Sequence, residues 1–266
     1  MPDAKRSAEA GTAADVWLTD LKQPEAVVDD FDTLLSATER ARARCLRSLV
    51  HRHRYIVAHA SLRCILACYT GDAPAMVRFE LGPQRRPSLA GAAGQGWDFS
   101  LSHSGELAVI GVTLCGPIGI DLECIDARRR IDLLAPKILP PEEAERLLVL
   151  PPCRRITEFH RAWTRFEAAA KASGNGISAL RAARDGHLLS RWHLTEFRLP
   201  GYVGALCLPT PPGRILWRSW RPDGCNTLVD ARLRSAVSLP GAESLCLELA
   251  HGGVESGDDP RGLVTL

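Results

Sequence analysis

Phe99-Ser100-Leu101-Ser102-His103-Ser104-Gly105-Glu106, then Leu107 to Leu114, then Gly116-Pro117 and Ile118-Gly119-Ile120-Asp121-Leu122-Glu123: the reading of this stretch decides the fold. Phe99 to Ser102 alternates apolar and polar residues, and Leu107 to Leu114 is an apolar run rich in β-branched side chains. Gly105-Glu106 and Gly116-Pro117 supply the turns. The pattern predicts three successive strands, the last of them Ile118 to Glu123.

Helical patterns lie on either side. Upstream, Ser36 precedes Glu39 by three residues, the spacing of a capping box that opens a helix. Tyr55, His59, Leu62, Leu66 and Tyr69 then recur at helical spacing and form one core-facing stripe. Before them, Val16 to Leu21 reads as a short strand. Downstream, Pro140-Pro141-Glu142-Glu143 has the prolines and acids of a helix start. Ile156 to Ser173 is a longer helix, with Phe159, Trp163, Phe166 and Ala170 on one face and Gly174 at the C-cap. Trp192 to Leu199 and Tyr202 to Leu208 pair about Pro200-Gly201, and Ile215-Leu216-Trp217 forms a last strand.

Each half therefore reads as helix followed by strands. The expected fold class is α+β, two similar α/β halves related by a pseudo-two-fold and meeting near residue 115. The expected division is a disordered N-terminus (1–15), an N-terminal half (16–115), a C-terminal half (116–222) and a tail (223–266) with no assigned role. Gly82 to Pro87 is a loop by composition.

Composition narrows the function classes. With 45% apolar and 24% charged residues the chain has a globular profile, and a net charge of +2 argues against bulk capture of nucleic acid. The nine cysteines are scattered, odd in number and without a C-x-x-C pair, which points to a reducing compartment rather than to disulfides or zinc. Cys64 and Cys68 read as small core residues. Lys5 and Arg6 have no apolar run behind them, and Leu107 to Ile120 is too short for a bilayer. A cytoplasmic protein with no membrane partner is expected.

Alternate residues of a strand share a face, so Asp121 and Glu123 project together while Ile120 and Leu122 pack inward. Two adjacent like charges repel, and a cation is one way to stabilise them. A strand with one solvated face has the same pattern. Glu167 and Lys171, four apart on a helix, are neighbours, and by themselves they read equally as a surface ion pair.

In this order the segments resemble the 4′-phosphopantetheinyl transferases of the Sfp type. Pro117 to Glu123 is similar to the first core motif of that family. Trp163-Thr164-Arg165-Phe166-Glu167-Ala168-Ala169-Ala170-Lys171-Ala172-Ser173-Gly174 is similar to the second, W-[ST]-x-K-E-A-x-x-K-A-x-G. Phe99 to Gly105 resembles F-N-[IL]-S-H-[ST], Arg86-Pro87 stands for a Lys-Pro pair, and Glu39 to Arg42 and His53-Arg54 also match. The resemblance covers roughly residues 16 to 210.

The resemblance implies transfer of phosphopantetheine from coenzyme A to a serine of an acyl or peptidyl carrier protein, with release of adenosine 3′,5′-bisphosphate. It implies an active site in the cleft between the halves and, because one chain carries both halves, a monomer. Asp121, Glu123 and Glu167 would hold Mg2+, with Mn2+ as an alternative. Glu167 would act as base on the carrier hydroxyl, and Lys171 would contact the pyrophosphate. Ser102 and His103 would bind coenzyme A phosphates, Arg86 and Pro87 would line the nucleotide, and Arg54 and Arg63 are candidates for its 3′-phosphate. Arg128-Arg129-Arg130, with Ile131, Leu133 and Leu134, would dock an acidic carrier. Two departures stand out. Phe166 replaces the motif lysine and Ser100 replaces an asparagine. The first makes a binder without efficient transfer the alternative reading, and a purely structural α+β protein is a third.

Overall fold

A computed structural model describes residues 14–82, 86–91, 94, 96–174, 188–222 and, for the backbone, 227–229. The expected N-terminal disorder lies outside the described residues except at Ala14 and Asp15, which are buried in a strand instead, and most of the tail and the middle of the Gly82–Pro87 loop also lie outside them. Three successive strands run from Asp98 to Cys124: β4 (Asp98–Ser104), β5 (Leu107–Thr113) and β6 (Gly119–Cys124). They occupy the segments that the alternation and turn residues predict.

The fold is α+β. One sheet has five strands in the order β10-β9-β1-β5-β4, where β1 is Ala14–Asp20, β9 is Ile215–Trp220 and β10 is Thr227–Val229. A second has three strands in the order β6-β8-β7, with β7 at His193–Leu199 and β8 at Tyr202–Leu208. A hairpin of β2 (Phe79–Leu81) and β3 (Pro87–Leu89) stands apart. The order β1-β5-β4 in the first sheet has the same connectivity as β6-β8-β7 in the second: a strand, helices, and a hairpin whose second strand pairs back onto the first. β9 does not stay with the second sheet, as position in the chain would suggest. It runs parallel to β1, with Val16 opposite Trp217.

Three helices cover the first sheet: α1 (Glu25–Leu34), α2 (Ala37–Cys45) and α3 (Leu49–Thr70). Ser36 closes a capping box with Glu39 at the start of α2. Tyr55, Leu62, Leu66 and Tyr69 of α3 pack on Trp17, Phe99, Leu101 and Ile110. Between the sheets, Val16, Leu18, Val109 and Trp217 meet Ile118, Ile120, Leu122 and Leu206. Area removed from water by these apolar side chains stabilises the stack at roughly 25 cal/mol per Å².

The second sheet is covered by one long helix, and the two short helices before it pack on its far side: α4 (Ile131–Ile138), α5 (Pro141–Leu148) and the covering α6 (Pro152–Ser173). α6 begins four residues before the stripe that announces it, because Pro152 is tolerated in the first turn, where its missing N–H costs nothing. Its outer face, Phe159, Trp163 and Phe166, packs on α4 and α5. Its inner face is alanine: Ala168, Ala169 and Ala172 lie against Ala205 and Cys207 of β8. No helix among the described residues is long and apolar enough to cross a membrane.

Candidate active site

Gly119 sets how close α6 comes to β6. A Cβ there would lie 1.9 Å from the Ala168 carbonyl oxygen and 2.5 Å from the Ala172 nitrogen. With no side chain at 119 and alanines on the helix, the two backbones touch, and the longer residues of both elements meet at one end of the contact. Those residues are Asp121 and Glu123 from β6 and Glu167 and Lys171 from α6. Ile120 and Leu122 point the other way, into the core between the sheets.

Lys171 Nζ lies 2.9 Å from Asp121 Oδ1 and donates to the carbonyl oxygens of Ile120 (3.1 Å) and Leu101 (3.4 Å). Its ammonium thus ties α6 to β6 and β4 together. Asp121 Oδ1 also accepts from Ser102 Oγ at 2.7 Å. Glu123 Oε2 accepts from Ser104 Oγ at 3.0 Å and faces an Arg129 guanidinium nitrogen at 3.6 Å. Asp121 Oδ2 and Glu167 Oε1 are buried with no hydrogen-bond partner among the described residues. Such groups are costly unless something satisfies them.

Burial first, and then repulsion from Asp121, push both Glu123 and Glu167 up to about 7. Lys171 opposes the shift at both and does not cancel it. Among the described residues no three His, Cys, Asp or Glu side chains are already gathered as an ion-binding group. The Lys171 ammonium against Asp121 Oδ1 and the Arg129 guanidinium near Glu123 are cations that the chain itself supplies.

His103 extends from the opposite face of β4, toward α3. Burial first, and then the charges of His59, Lys171, Arg54 and His51, depress it to about 4. A neutral imidazole ringed by basic groups is suited to an anion, which would stabilise all of them together. Arg54 belongs to this ring, and its guanidinium rests on Glu106 at 3.4 Å.

Other expected site residues stand elsewhere. Arg63 is 2% exposed, and its guanidinium is spent on Glu39, on the carbonyl oxygens of Pro74 and Val77, and on the ring of Phe79. It holds the N-terminal core together, which corrects its reading as a 3′-phosphate ligand. Arg86 is a clamp. It binds Asp98 and the carbonyl oxygens of Ile118 and Ala172, joining β4, the entry to β6 and the last turn of α6. Pro87 opens β3, opposite Leu81. Ser102 points to β6 and Asp121, away from His103.

The arginine triplet also divides. Arg128 pairs with Asp126, Arg130 with Asp132, and only Arg129 turns to Glu123. Ile131 packs inward with Leu134 against it, whereas Leu133 is 52% exposed. Phe166, 5% exposed, belongs to the apolar cluster under α4 and α5, as its place on the helical wheel predicts. Ser104 and Gly119 are participants given no role by the sequence, and Arg129, expected at the carrier-docking surface, faces Glu123 instead. Ser104 was legible, because it shares a strand face with Ser102.

Residues 117–201 match the family model described as "4′-phosphopantetheinyl transferase superfamily". The chain is 37% identical over 166 residues to the 4′-phosphopantetheinyl transferase HetI of Nostoc sp., covering 62% of this chain and 70% of that protein. It is 30% identical over 149 residues to the 4′-phosphopantetheinyl transferase AcpT of Salmonella typhi, covering 56% and 74%. To the 4′-phosphopantetheinyl transferase psf-1 of Bacillus pumilus it is 29% identical over 160 residues, covering 60% and 66%.

Proposed function

The chain belongs to the 4′-phosphopantetheinyl transferase superfamily and is an enzyme of that class, and from this premise we propose that it moves phosphopantetheine from coenzyme A to a serine hydroxyl of an acyl or peptidyl carrier protein. The carrier oxygen bonds to the phosphorus that bears the pantetheine, and the bond from that phosphorus to adenosine 3′,5′-bisphosphate breaks. The reading includes its Sfp-type character, the pseudo-two-fold relation of the halves and a site in the cleft between them. It also includes a monomeric state, a cytoplasmic location and the division at residues 115 and 116.

The observation that carries the proposal is that Asp121 and Glu167 each bury a carboxylate oxygen without a partner among the described residues, with Asp121 and Glu123 near enough to repel Glu167. The donor set is all oxygen and acidic, which suits Mg2+ (or Mn2+). Asp121, Glu123 and Glu167 would hold the ion, and its charge would offset that of the pyrophosphate as the leaving group departs.

The remaining work falls to the chain's own groups. Glu167, with Oε1 buried and without a hydrogen-bond partner among the described residues, is placed to take the carrier hydroxyl proton. Lys171 lies beside Asp121 and supplies positive charge to the departing phosphate. His103, with Arg54 near it, receives a coenzyme A phosphate, and Arg86 with Pro87 borders the nucleotide. Ser102 acts on Asp121 rather than on the ligand. Leu133 and the exposed arginines beside it present the carrier-docking surface. The loss of the motif lysine at 166 is absorbed by packing, since Phe166 fills the apolar cluster beneath α4 and α5.

Incubation with fluorescent coenzyme A, Mg2+ and a carrier protein should label the carrier. Glu167→Gln should lower that rate at least about 100-fold with little change in melting temperature. A variant that still labels at the wild-type rate would remove Glu167 from the reaction.

A further inference from the structure

β4 and β6 belong to different sheets, β4 pairing with β5 and β6 with β8. Side chains nevertheless lock them in register. Ser100 Oγ accepts the N–H of Ile120 at 3.0 Å, Ser102 Oγ that of Leu122 at 3.3 Å, and Ser104 Oγ that of Cys124 at 3.0 Å. Each step advances two residues on both strands, so the strands run parallel and the hydroxyls lie on one face of β4.

A hydroxyl that accepts still has its own proton to donate. Ser102 gives it to Asp121 Oδ1 at 2.7 Å and Ser104 gives it to Glu123 Oε2 at 3.0 Å. Ser100 stands across from Gly119, which has no side chain. The same division of labour occurs at both acids. Asp121 Oδ1 takes Ser102 and Lys171 and leaves Oδ2 without a partner. Glu123 Oε2 takes Ser104 and faces Arg129, and neither contact uses Oε1.

We propose that Ser104 is a positioning residue, whose hydroxyl pins one oxygen of Glu123 and so presents the other to the cation. Ser100 only fastens the strands. The inference rests on the reading of Asp121, Glu123 and Glu167 as a metal site. Glutamate has several rotatable bonds, and a fixed second partner lowers the cost of holding it in one rotamer.

The test uses the full chain, Mn2+ titration followed by electron paramagnetic resonance without coenzyme A, and melting temperature. Ser104→Ala should weaken Mn2+ binding on the order of tenfold, and Ser104→Thr, which keeps the hydroxyl, should restore it. Ser100→Ala should lower the melting temperature about as much as Ser104→Ala and leave Mn2+ affinity unchanged. The proposal is overturned if Ser104→Ala binds Mn2+ like wild type while Glu123→Gln does not, a result that leaves the metal site standing. Equal weakening by Ser100→Ala also overturns it, because the seam would then act only through the fold. A wild-type chain that takes up no Mn2+ overturns both readings.

Discussion

The two long helices, α3 and α6, invite comparison. Each has 22 residues, ends on a glycine with positive φ (Gly71 and Gly174), and covers strands of the same connectivity. α3 packs with large side chains, Tyr55, Leu62, Ile65, Leu66 and Tyr69, which hold its axis away from the sheet. α6 packs with alanines on Gly119 and Ala205, and its backbone meets β6 directly. The difference decides what polar residues on each helix can do. Glu39 and Arg63, beside and on α3, neutralise each other inside a conventional core. Glu167 and Lys171, on the close-packed helix, are brought onto a strand that already carries Asp121 and Glu123. Bulky packing builds a core, whereas small-residue packing builds a site.

The largest effect should come from removing the close approach. Gly119→Ala puts a methyl group where the Ala168 carbonyl stands, and the obstacle is backbone, which cannot swing aside. We expect a loss of more than about 3 kcal/mol and near-complete loss of transfer. Normal melting and labelling would mean that α6 tolerates a wider spacing and that the contrast with α3 is unimportant.

Phe166→Ala sharpens the comparison from the outer face of α6. The ring is buried under α4 and α5, so its removal should cost about 3 kcal/mol and leave labelling per folded molecule close to wild type. Unchanged stability with reduced labelling would place Phe166 in the chemistry instead.

The smallest effect is a pH dependence near neutrality that the acids around α6 should show and Glu39, beside α3, should not. Glu123 and Glu167, raised to about 7 by burial and by Asp121, bind protons more tightly folded than unfolded. Between their ordinary value near 4.5 and about 7 the folded chain holds extra protons, so stability falls as pH rises through that window. The expected loss between pH 6.5 and 8 is on the order of 1 kcal/mol. Glu39 differs. Burial raises it, but hydrogen bonds from His59, Arg63 and Ser36 prevail and hold it at about 2. Its contribution is complete above its unfolded value and is lost only as pH falls toward 2. Melting temperature measured across pH 6.5 to 8 in chelator, above the range in which the depressed His103 works in the opposite direction, should therefore slope downward, Mg2+ should flatten the slope, and Glu167→Gln should reduce it. A flat profile in chelator would mean that the acids are not buried together.

Most elements were legible because local periodicity carries them. The capping box at Ser36, the stripe from Tyr55 to Tyr69 and the alternation at Phe99 to Ser104 each name an element without reference to the rest of the chain. α4 escaped because Pro136 interrupts its pattern. Arg63 was misread because an arginine on a helix looks the same whether it faces a phosphate or a buried glutamate. The partner lies 24 residues away, in another element.

By itself the sequence determined that Asp121 and Glu123 would share one strand face, since a strand's period of two leaves no choice. It also determined that a helix carrying Glu167 and Lys171 would stop at Gly174. Only the tertiary structure decided that Lys171 would lie on Asp121, that Ser102 and Ser104 would each take a carboxylate oxygen, and that β9 would return to β1. Those outcomes depend on how near two segments come, and nearness was set by the missing side chain at Gly119 and by alanines on α6. The volumes that control it belong to residues that carry no chemistry of their own.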